Sequence, residues 1–210
     1  MIKPELRDGR PIVLVISGPA GSGKTTLVEG LVEKFSGQIQ RVITTTTRAP
    51  RQGEVDGVDY HFLSQEVFKT KVAEGAFYEW AEVHSNAYGT LKSSVNSQLE
   101  TGFHLILNID VQGAASFRQV VQQDPLFLGR LVTVFIMPAS VTQLRERLRL
   151  RALDAEATVE KRLKNAEGEM ALWRDYDYCI LTGRREHDAD CLSSIFQAEC
   201  LRVPPSKKLV

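Results

Sequence analysis

Cysteine is scarce in this sequence. Of 210 residues three are cysteine, Cys179, Cys191 and Cys200, an odd number without the short paired spacing of a zinc site or a disulfide framework. That excludes a cross-linked secreted scaffold and points to reduced thiols, buried or idle, in a cytoplasmic protein. An excess of charge is lacking too, since 26 Lys and Arg balance 26 Asp and Glu. Without a net basic footprint, no nucleic-acid partner is expected. Apolar runs stay short of the roughly 18–20 residues that span a bilayer, and the opening MIKPELRDGR has no signal-peptide stretch, so no membrane partner is expected either. Internal repeats and low-complexity tracts are missing as well. What remains is a globular chain long enough for one domain with sizeable inserts.

Apolar runs with β-branched residues alternate with longer helical patterns. PIVLVIS (11–17), FHLILNID (103–110), LVTVFIM (131–137) and YDYCILT (176–182) lack polar alternation and read as buried strands of a parallel sheet. Helical periodicity runs from Lys24 to Phe35, from Leu91 to Glu100, from Gln112 to Gln122 and onward from Val141, where Ser140 and Gln143 suit a capping box. This order predicts an α/β fold with a parallel-sheet core. Two segments interrupt it. Residues 44–90 are short strands and turns with several Gly and Pro, which suits a small mixed inserted lobe, and residues 139–162 are Arg-rich and helical, which suits a mobile lid. The core is then expected from 1–43, 91–138 and 163–202, with a frayed tail at 203–210.

The first strand runs straight into GPAGSGKTT, that is Gly18, Pro19, Ala20, Gly21, Ser22, Gly23, Lys24, Thr25 and Thr26. Glycines at 18, 21 and 23 let successive backbone N–H groups face an anion, and the helix that follows adds its positive end. Lys24 supplies a charge for the β and γ phosphates and Thr25 a hydroxyl for Mg²⁺. The alternative is a glycine-rich turn that merely connects, but its place between strand and helix favours a nucleoside triphosphate cradle. Asp110 ends the LILNID strand, where a carboxylate commonly faces the phosphate site; Asn108, two residues earlier, points to the same face. Asp110 would otherwise only cap the next helix.

In TTRAPRQGE, Arg48 and Arg51 stand three apart around a proline that stiffens the turn. Two guanidinium groups on one rigid loop suit a clamp for a second phosphate, distinct from those on the cradle, although a solvated loop would also carry them. Tyr60, Glu79 and Tyr88 follow in the same segment. In RERLRLR, Arg147 and Arg151 share a helix face, where like charges repel unless an anion or a partner such as Glu146 or Glu156 neutralises them.

Taken together, GPAGSGKTT, TTTTRAPRQGEVDGVDYHF, FYEWAEVHSNAYGT, LILNIDVQG, RLRLR and YDYCIL resemble the guanylate kinase family in order and spacing from about residue 11 to 182, over four-fifths of the chain. The resemblance implies a P-loop core, a lobe for GMP and a lid, with the ATP γ-phosphoryl passing to GMP in the presence of Mg²⁺. By position it implies that Arg48, Arg51, Tyr60 and Tyr88 hold the GMP phosphate. Thr44, Glu79, Thr90 and Asp110 would read the guanine edge, and Arg147, Arg151 and Arg162 would reach the transferring phosphoryl. Guanine presents N1–H and its 2-amino group side by side, so one carboxylate, Glu79, is suited to accept from both, with Thr44 or Thr90 donating to O6. The alternative for Glu79 is a surface charge beside a core Trp80.

The chain departs from the family pattern at a few places. Asn108 stands where the family usually has Asp, Leu150 and Ala152 where it has small residues, and Thr182 and Gly183 where it has Asn and an acidic residue. A catalytically inactive binding module of the same family would tend to lack Lys24 and the lid arginines, which are present. A stand-alone P-loop ATPase or GTPase switch would need no second phosphate clamp.

Overall fold

The computed structural model describes residues 11–83, 85–151 and 156–203. Its centre is β1 (Val13–Ser17), every residue of which is buried. The strand lies inside the sheet with both faces covered: Val13 and Val15 join one apolar cluster, while Leu14 and Ile16 join another on the opposite face. This is why the strand carries no polar alternation.

Four further strands flank β1 among the described residues: β2 (Ile39–Arg41), β7 (His104–Asn108), β8 (Leu131–Met137) and β9 (Tyr178–Leu181). Their order is β2-β7-β1-β8-β9, and each pairing is parallel. Because β7 and β8 lie on opposite sides of β1, a crevice opens beyond its carboxyl end, the place where sheets of this kind bind ligands. One face is covered by α1 (Lys24–Lys34) and α7 (Arg185–Leu201), with Leu27, Leu31, Leu192 and Phe196 buried there. On the other lie α3 (Lys92–Glu100) and α4 (Val111–Gln123), which bury Val95, Leu99, Phe117 and Val121.

Sequence patterning missed two core elements. β2 is three residues long, too short to register as an apolar run, and is held because Ile39, Gln40 and Arg41 pair with His104, Leu105 and Ile106. The polar first turn of α7 hides its helical period, although Leu192, Ile195 and Phe196 repeat at helical spacing and pack on the core.

Residues 45–91 build a second sheet from β3 (Thr45–Thr46), β4 (His61–Phe62), β5 (Phe77–Val83) and β6 (Asn86–Leu91), ordered β4-β3-β6-β5, with α2 (Gln65–Ala73) between β4 and β5. This sheet is mixed: β3 pairs with β4 in parallel and with β6 antiparallel. α2 is a further helix not expected from the pattern of short strands and turns; Ser64 starts it by accepting from the Val67 N–H at 3.2 Å. Farther along, α5 (Val141–Arg151) and α6 (Glu156–Met170) pack through Leu144, Leu163 and Ala166. The Ser140 hydroxyl caps α5 by accepting from Gln143 N–H at 3.0 Å. The returning half of the expected capping box is absent, since Gln143 Oε1 is buried without a partner. The first ten residues, Ala152 and residues 204–210 of the expected tail lie outside the described residues.

Candidate active site

The cradle forms where β1 meets α1. Gly18, Gly21 and Gly23 all have φ in the left-handed region, at 139°, 84° and 100°. At Gly18 a side chain is doubly excluded, because a Cβ would also sit 2.5 Å from the Ile136 carbonyl oxygen of β8. Lys24 folds back over this loop and donates from Nζ to the carbonyl oxygens of Gly18 at 2.6 Å and Pro19 at 3.0 Å. Thr25 follows at the start of α1, and Asn108, ending β7, donates from Nδ2 to Thr25 Oγ1 at 3.2 Å. The strand end and the cradle thus meet at this contact, and β7 stops at Asn108, so Asp110 lies beyond the strand it was expected to end.

Asp110 caps α4: its Oδ1 accepts from Gly113 N–H at 2.8 Å. The capping role weighed as the alternative is therefore real. Its carboxylate also lies within electrostatic reach of Glu79 and of Glu169. Glu169, near the end of α6, faces Lys24 as well, and burial raises its carboxyl above the ordinary range while Lys24 opposes the shift. Sequence reasoning did not single out Glu169. An acidic residue near the end of a helix carries no local signal, and only the packing of α6 brings it to the cradle.

On the second sheet, register does the assembling. Glu79 of β5 lies opposite Thr90 of β6, and Thr45 of β3 lies opposite Gly89, so one residue further along the ladder Thr44 lies level with Thr90. Thr90 Oγ1 donates to Glu79 Oε1 at 2.6 Å. Glu79 is only 5% exposed, whereas Trp80 is 46% exposed. The alternative of a surface Glu79 beside a core Trp80 is thus inverted. The register of β5 shifts between Phe77 and Glu79, so the adjacent Tyr78 and Glu79 are both buried. Burial pushes the Glu79 carboxyl up to about 7, against the lowering effect of the Thr90 hydrogen bond.

Arg48, Tyr60 and Tyr88 form a second cluster on the same sheet, with Tyr88 two residues before Thr90 on β6. The Arg48 guanidinium lies 5.6 Å from the Tyr60 ring centre, and the Tyr60 and Tyr88 rings are 6.2 Å apart. Glu54 orients this group: it accepts from Arg48 Nη2 at 2.8 and 2.9 Å and from the Arg51 backbone N–H at 2.7 Å. The Arg48 hydrogen bond holds the Glu54 carboxyl below its usual range. One carboxylate therefore fixes the Arg48 guanidinium and the backbone at Arg51, while the Arg51 residue is exposed. Arg147 and Arg151 lie on α5 and Arg162 on α6; their side chains are outside the described residues. The neighbouring Arg145 pairs with Glu160 of α6.

Comparison with known proteins places this arrangement. The model of the guanylate kinase family matches residues 9–199. A guanylate kinase of Bartonella henselae is 41% identical over 193 residues, covering 92% of this chain and 83% of the relative. One of Clostridium perfringens is 39% identical over 202 residues, covering 96% and 90%. Among solved structures, guanylate kinase from Anaplasma phagocytophilum superimposes with a TM-score of 0.73 at 33% identity, covering 92% of this chain and 88% of that one. With the cradle and both sheets accounted for within the matched span, the chain belongs to the guanylate kinase family.

Proposed function

We propose that this protein transfers the γ-phosphoryl group of ATP to GMP, and more weakly to dGMP, in a single in-line displacement, with the cradle holding ATP and the second sheet holding GMP. As a guanylate kinase the chain is an ATP:GMP phosphotransferase, and the proposal concerns how its own residues do this. The observation that carries it is the buried Glu79, bonded to Thr90 and set in the same sheet as the Arg48–Tyr60–Tyr88 cluster.

In this reading the backbone of residues 18–26 surrounds the triphosphate and Lys24 leaves the carbonyl oxygens of its own loop for the β and γ phosphates. Arg48, its guanidinium held by Glu54, and Arg51, its backbone held by the same carboxylate, take the GMP phosphate together with the hydroxyls of Tyr60 and Tyr88. Glu79 accepts from guanine N1–H and the 2-amino group, Thr90 supports Glu79 with its one hydroxyl proton and so leaves Thr44 to donate to O6, and Asp110 supports the edge from the α4 cap. Adenine offers a lone pair at N1 and no 2-amino group, so it leaves a buried acceptor facing an acceptor; discrimination of up to about 10⁴-fold is reachable from such unmet pairing. A GMP phosphate oxygen attacks directly, so no side-chain nucleophile is needed, and cationic groups spread the charge. Arg147, Arg151 and Arg162 provide those groups when residues 139–162 close as a lid over the 44–90 lobe and the core; α6 runs on beyond this segment to Met170 and packs on α5 through Leu163 and Ala166.

Thr25 and Asn108 offer hard oxygen donors beside the cradle. Among the described residues no cluster of three His, Cys, Asp or Glu builds a metal cage. That donor set suits a Mg²⁺ ion held mainly by phosphate oxygens and water, with Thr25 as its protein hydroxyl. When bound, the ion neutralises charge on the phosphates. The cytoplasmic location expected from the three cysteines, which remain thiols, belongs to this proposal. Release of ADP from ATP and Mg²⁺, measured with GMP, dGMP, AMP, CMP and UMP in turn, tests the reading. Turnover is expected with GMP and, less, with dGMP, and AMP or UMP reacting as fast as GMP overturns it.

A further inference from the structure

Gly113 is the third residue of α4, and the helix itself gives no reason for a glycine there. Its φ is outside the left-handed region, and glycine inside a helix is less favourable than alanine. The hydrogen bond from its N–H to Asp110 Oδ1 needs only a backbone. What distinguishes the position is the space that a side chain would take. A Cβ built on Gly113 would lie 2.6 Å from Glu79 Oε2 and 3.2 Å from Glu79 Cδ, and in ordinary contact with Asp110 Oδ1 at 3.6 Å. Glycines elsewhere in the helices differ, since a Cβ on Gly30 of α1 or Gly168 of α6 would meet nothing within 4 Å.

Glu79 has little freedom to give way. Its other oxygen accepts the 2.6 Å bond from Thr90, the residue is buried, and its backbone is fixed in the β5–β6 ladder. A methyl group at position 113 must therefore swing the carboxylate out of plane or push β5 away from α4.

We propose that Gly113 is a positioning and specificity-determining residue for the acceptor base: the bare first turn of α4 is the surface against which the Glu79 carboxylate lies, and this contact sets the plane in which its two oxygens meet guanine N1–H and the 2-amino group. The inference rests on the reading of Glu79 as the guanine acceptor. Two parallel hydrogen bonds to one planar group are sensitive to tilt, and a displacement of about 1 Å in an organised site can cost on the order of 10²-fold.

The test compares Gly113→Ala with the wild type, using GMP and inosine monophosphate, which lacks the 2-amino group, as acceptors. The KM for GMP is expected to rise about 10- to 100-fold, with kcat and the KM for ATP within about threefold, and the preference for GMP over inosine monophosphate is expected to shrink. Gly30→Ala, a helical glycine in open space, is expected to leave all of these unchanged. In a Glu79→Ala background, where the obstructed carboxylate is gone, adding Gly113→Ala is expected to change the KM for GMP by less than about twofold, the non-additivity that marks action through one partner. If Glu79→Ala itself leaves the preference between the two acceptors intact, the base reading fails and this inference with it. If Glu79→Ala removes the preference but Gly113→Ala behaves as wild type, or its effect simply adds to that of Glu79→Ala, the inference alone is overturned. Should Gly113→Ala not fold, the double variant, with room restored, is expected to fold with a near wild-type thermal midpoint, and its failure to do so also overturns the inference.

Discussion

The cradle and the acceptor sheet both hold phosphate in the proposed reaction, but they are built by different means. In the cradle a run of nine residues supplies backbone N–H groups, and its side chains matter chiefly through Lys24 and Thr25. In the acceptor sheet residues as far apart as Thr44 and Thr90 are brought level by strand register, and their side chains are already bonded to one another: Glu79 to Thr90, Arg48 to Glu54. The first site is local in sequence and its lysine must leave two carbonyl oxygens to act. The second is dispersed in sequence and organised in advance. Damage to the cradle should therefore appear mainly in the chemical step, and damage to the sheet mainly in acceptor binding.

Lys24→Ala gives that contrast its hardest test. The charge of Lys24 is directed at the transferred phosphoryl, so its loss should lower kcat by about 10³-fold or more while changing the KM for GMP by less than about threefold. Single-turnover and steady-state kinetics distinguish the two, and an equal loss in GMP affinity would put Lys24 on the acceptor side. Arg48→Ala is the counterpart. A charged hydrogen bond contributes about 1.5–3 kcal/mol, so the KM for GMP should rise about 10- to 100-fold, with ATP affinity nearly intact. Arg51→Ala should act in the same direction. Loss of ATP binding alone, in a nucleotide titration, would place these arginines with the donor.

The same contrast explains what the sequence made legible. The cradle could be read because strand, loop and helix are consecutive, and β1, β7 and β8 because burial on both faces leaves unbroken apolar runs; β9, expected as a buried strand, is instead the sheet edge, where Cys179 and Leu181 are exposed. β2 was missed because its existence depends on pairing with His104–Ile106 more than on its own three residues. On the acceptor side the individual residues were recognisable by family resemblance, but their relations were not. Glu54, which joins Arg48 to Arg51, and Glu169, which faces Lys24, have no motif of their own. Trp80 looked like core because tryptophan usually is; the shift in the β5 register turns it outward and puts a carboxylate inside instead.

Glu79 also makes the acceptor sheet sensitive to pH. Its carboxyl is pushed up to about 7 by burial, and only the ionised form can accept from both guanine N–H groups. Acceptor kcat/KM should therefore rise nearly tenfold between pH 6 and 8, with kcat much flatter. Glu79→Gln should raise the KM for GMP at least about tenfold and lose the titration; ionisation of the GMP phosphate near pH 6 affects both proteins alike. For stability the sign is opposite. A carboxyl whose folded value is raised above 4.5 favours folding through its neutral form. That contribution, on the order of 3 kcal/mol, is complete below the unfolded value and is lost as pH rises through about 7. Unfolding of the substrate-free protein by urea across this window should show the loss in the wild type and not in Glu79→Gln. A superimposable pair of profiles would mean that Glu79 is already ionised in the empty site.

The smallest expected effect lies in the cradle, at the Asn108–Thr25 contact. Asn108 donates into Thr25 Oγ1, so it occupies a lone pair of the hydroxyl proposed to meet Mg²⁺. An aspartate there would instead accept the Thr25 hydroxyl proton, leaving the oxygen lone pairs to the metal and adding a negative charge nearby. At about 5 Å and an effective dielectric near 20, a unit charge and a divalent ion attract by roughly 6–7 kcal/mol before desolvation and screening, and the net gain must be far smaller. Because the metal carries its charge in ground and transition states alike, the gain should go into metal retention more than into the chemical step. Asn108→Asp is therefore expected to move half-maximal activity to several-fold lower free Mg²⁺, with kcat changed by less than about tenfold. Thr25→Ala should shrink this difference without abolishing it, because the aspartate then has no hydroxyl to reorient and only its charge remains. Coincident Mg²⁺ titrations of Asn108→Asp and the wild type would remove position 108 from the metal environment, and a large gain in kcat would mean that Asn108 holds back the chemical step itself.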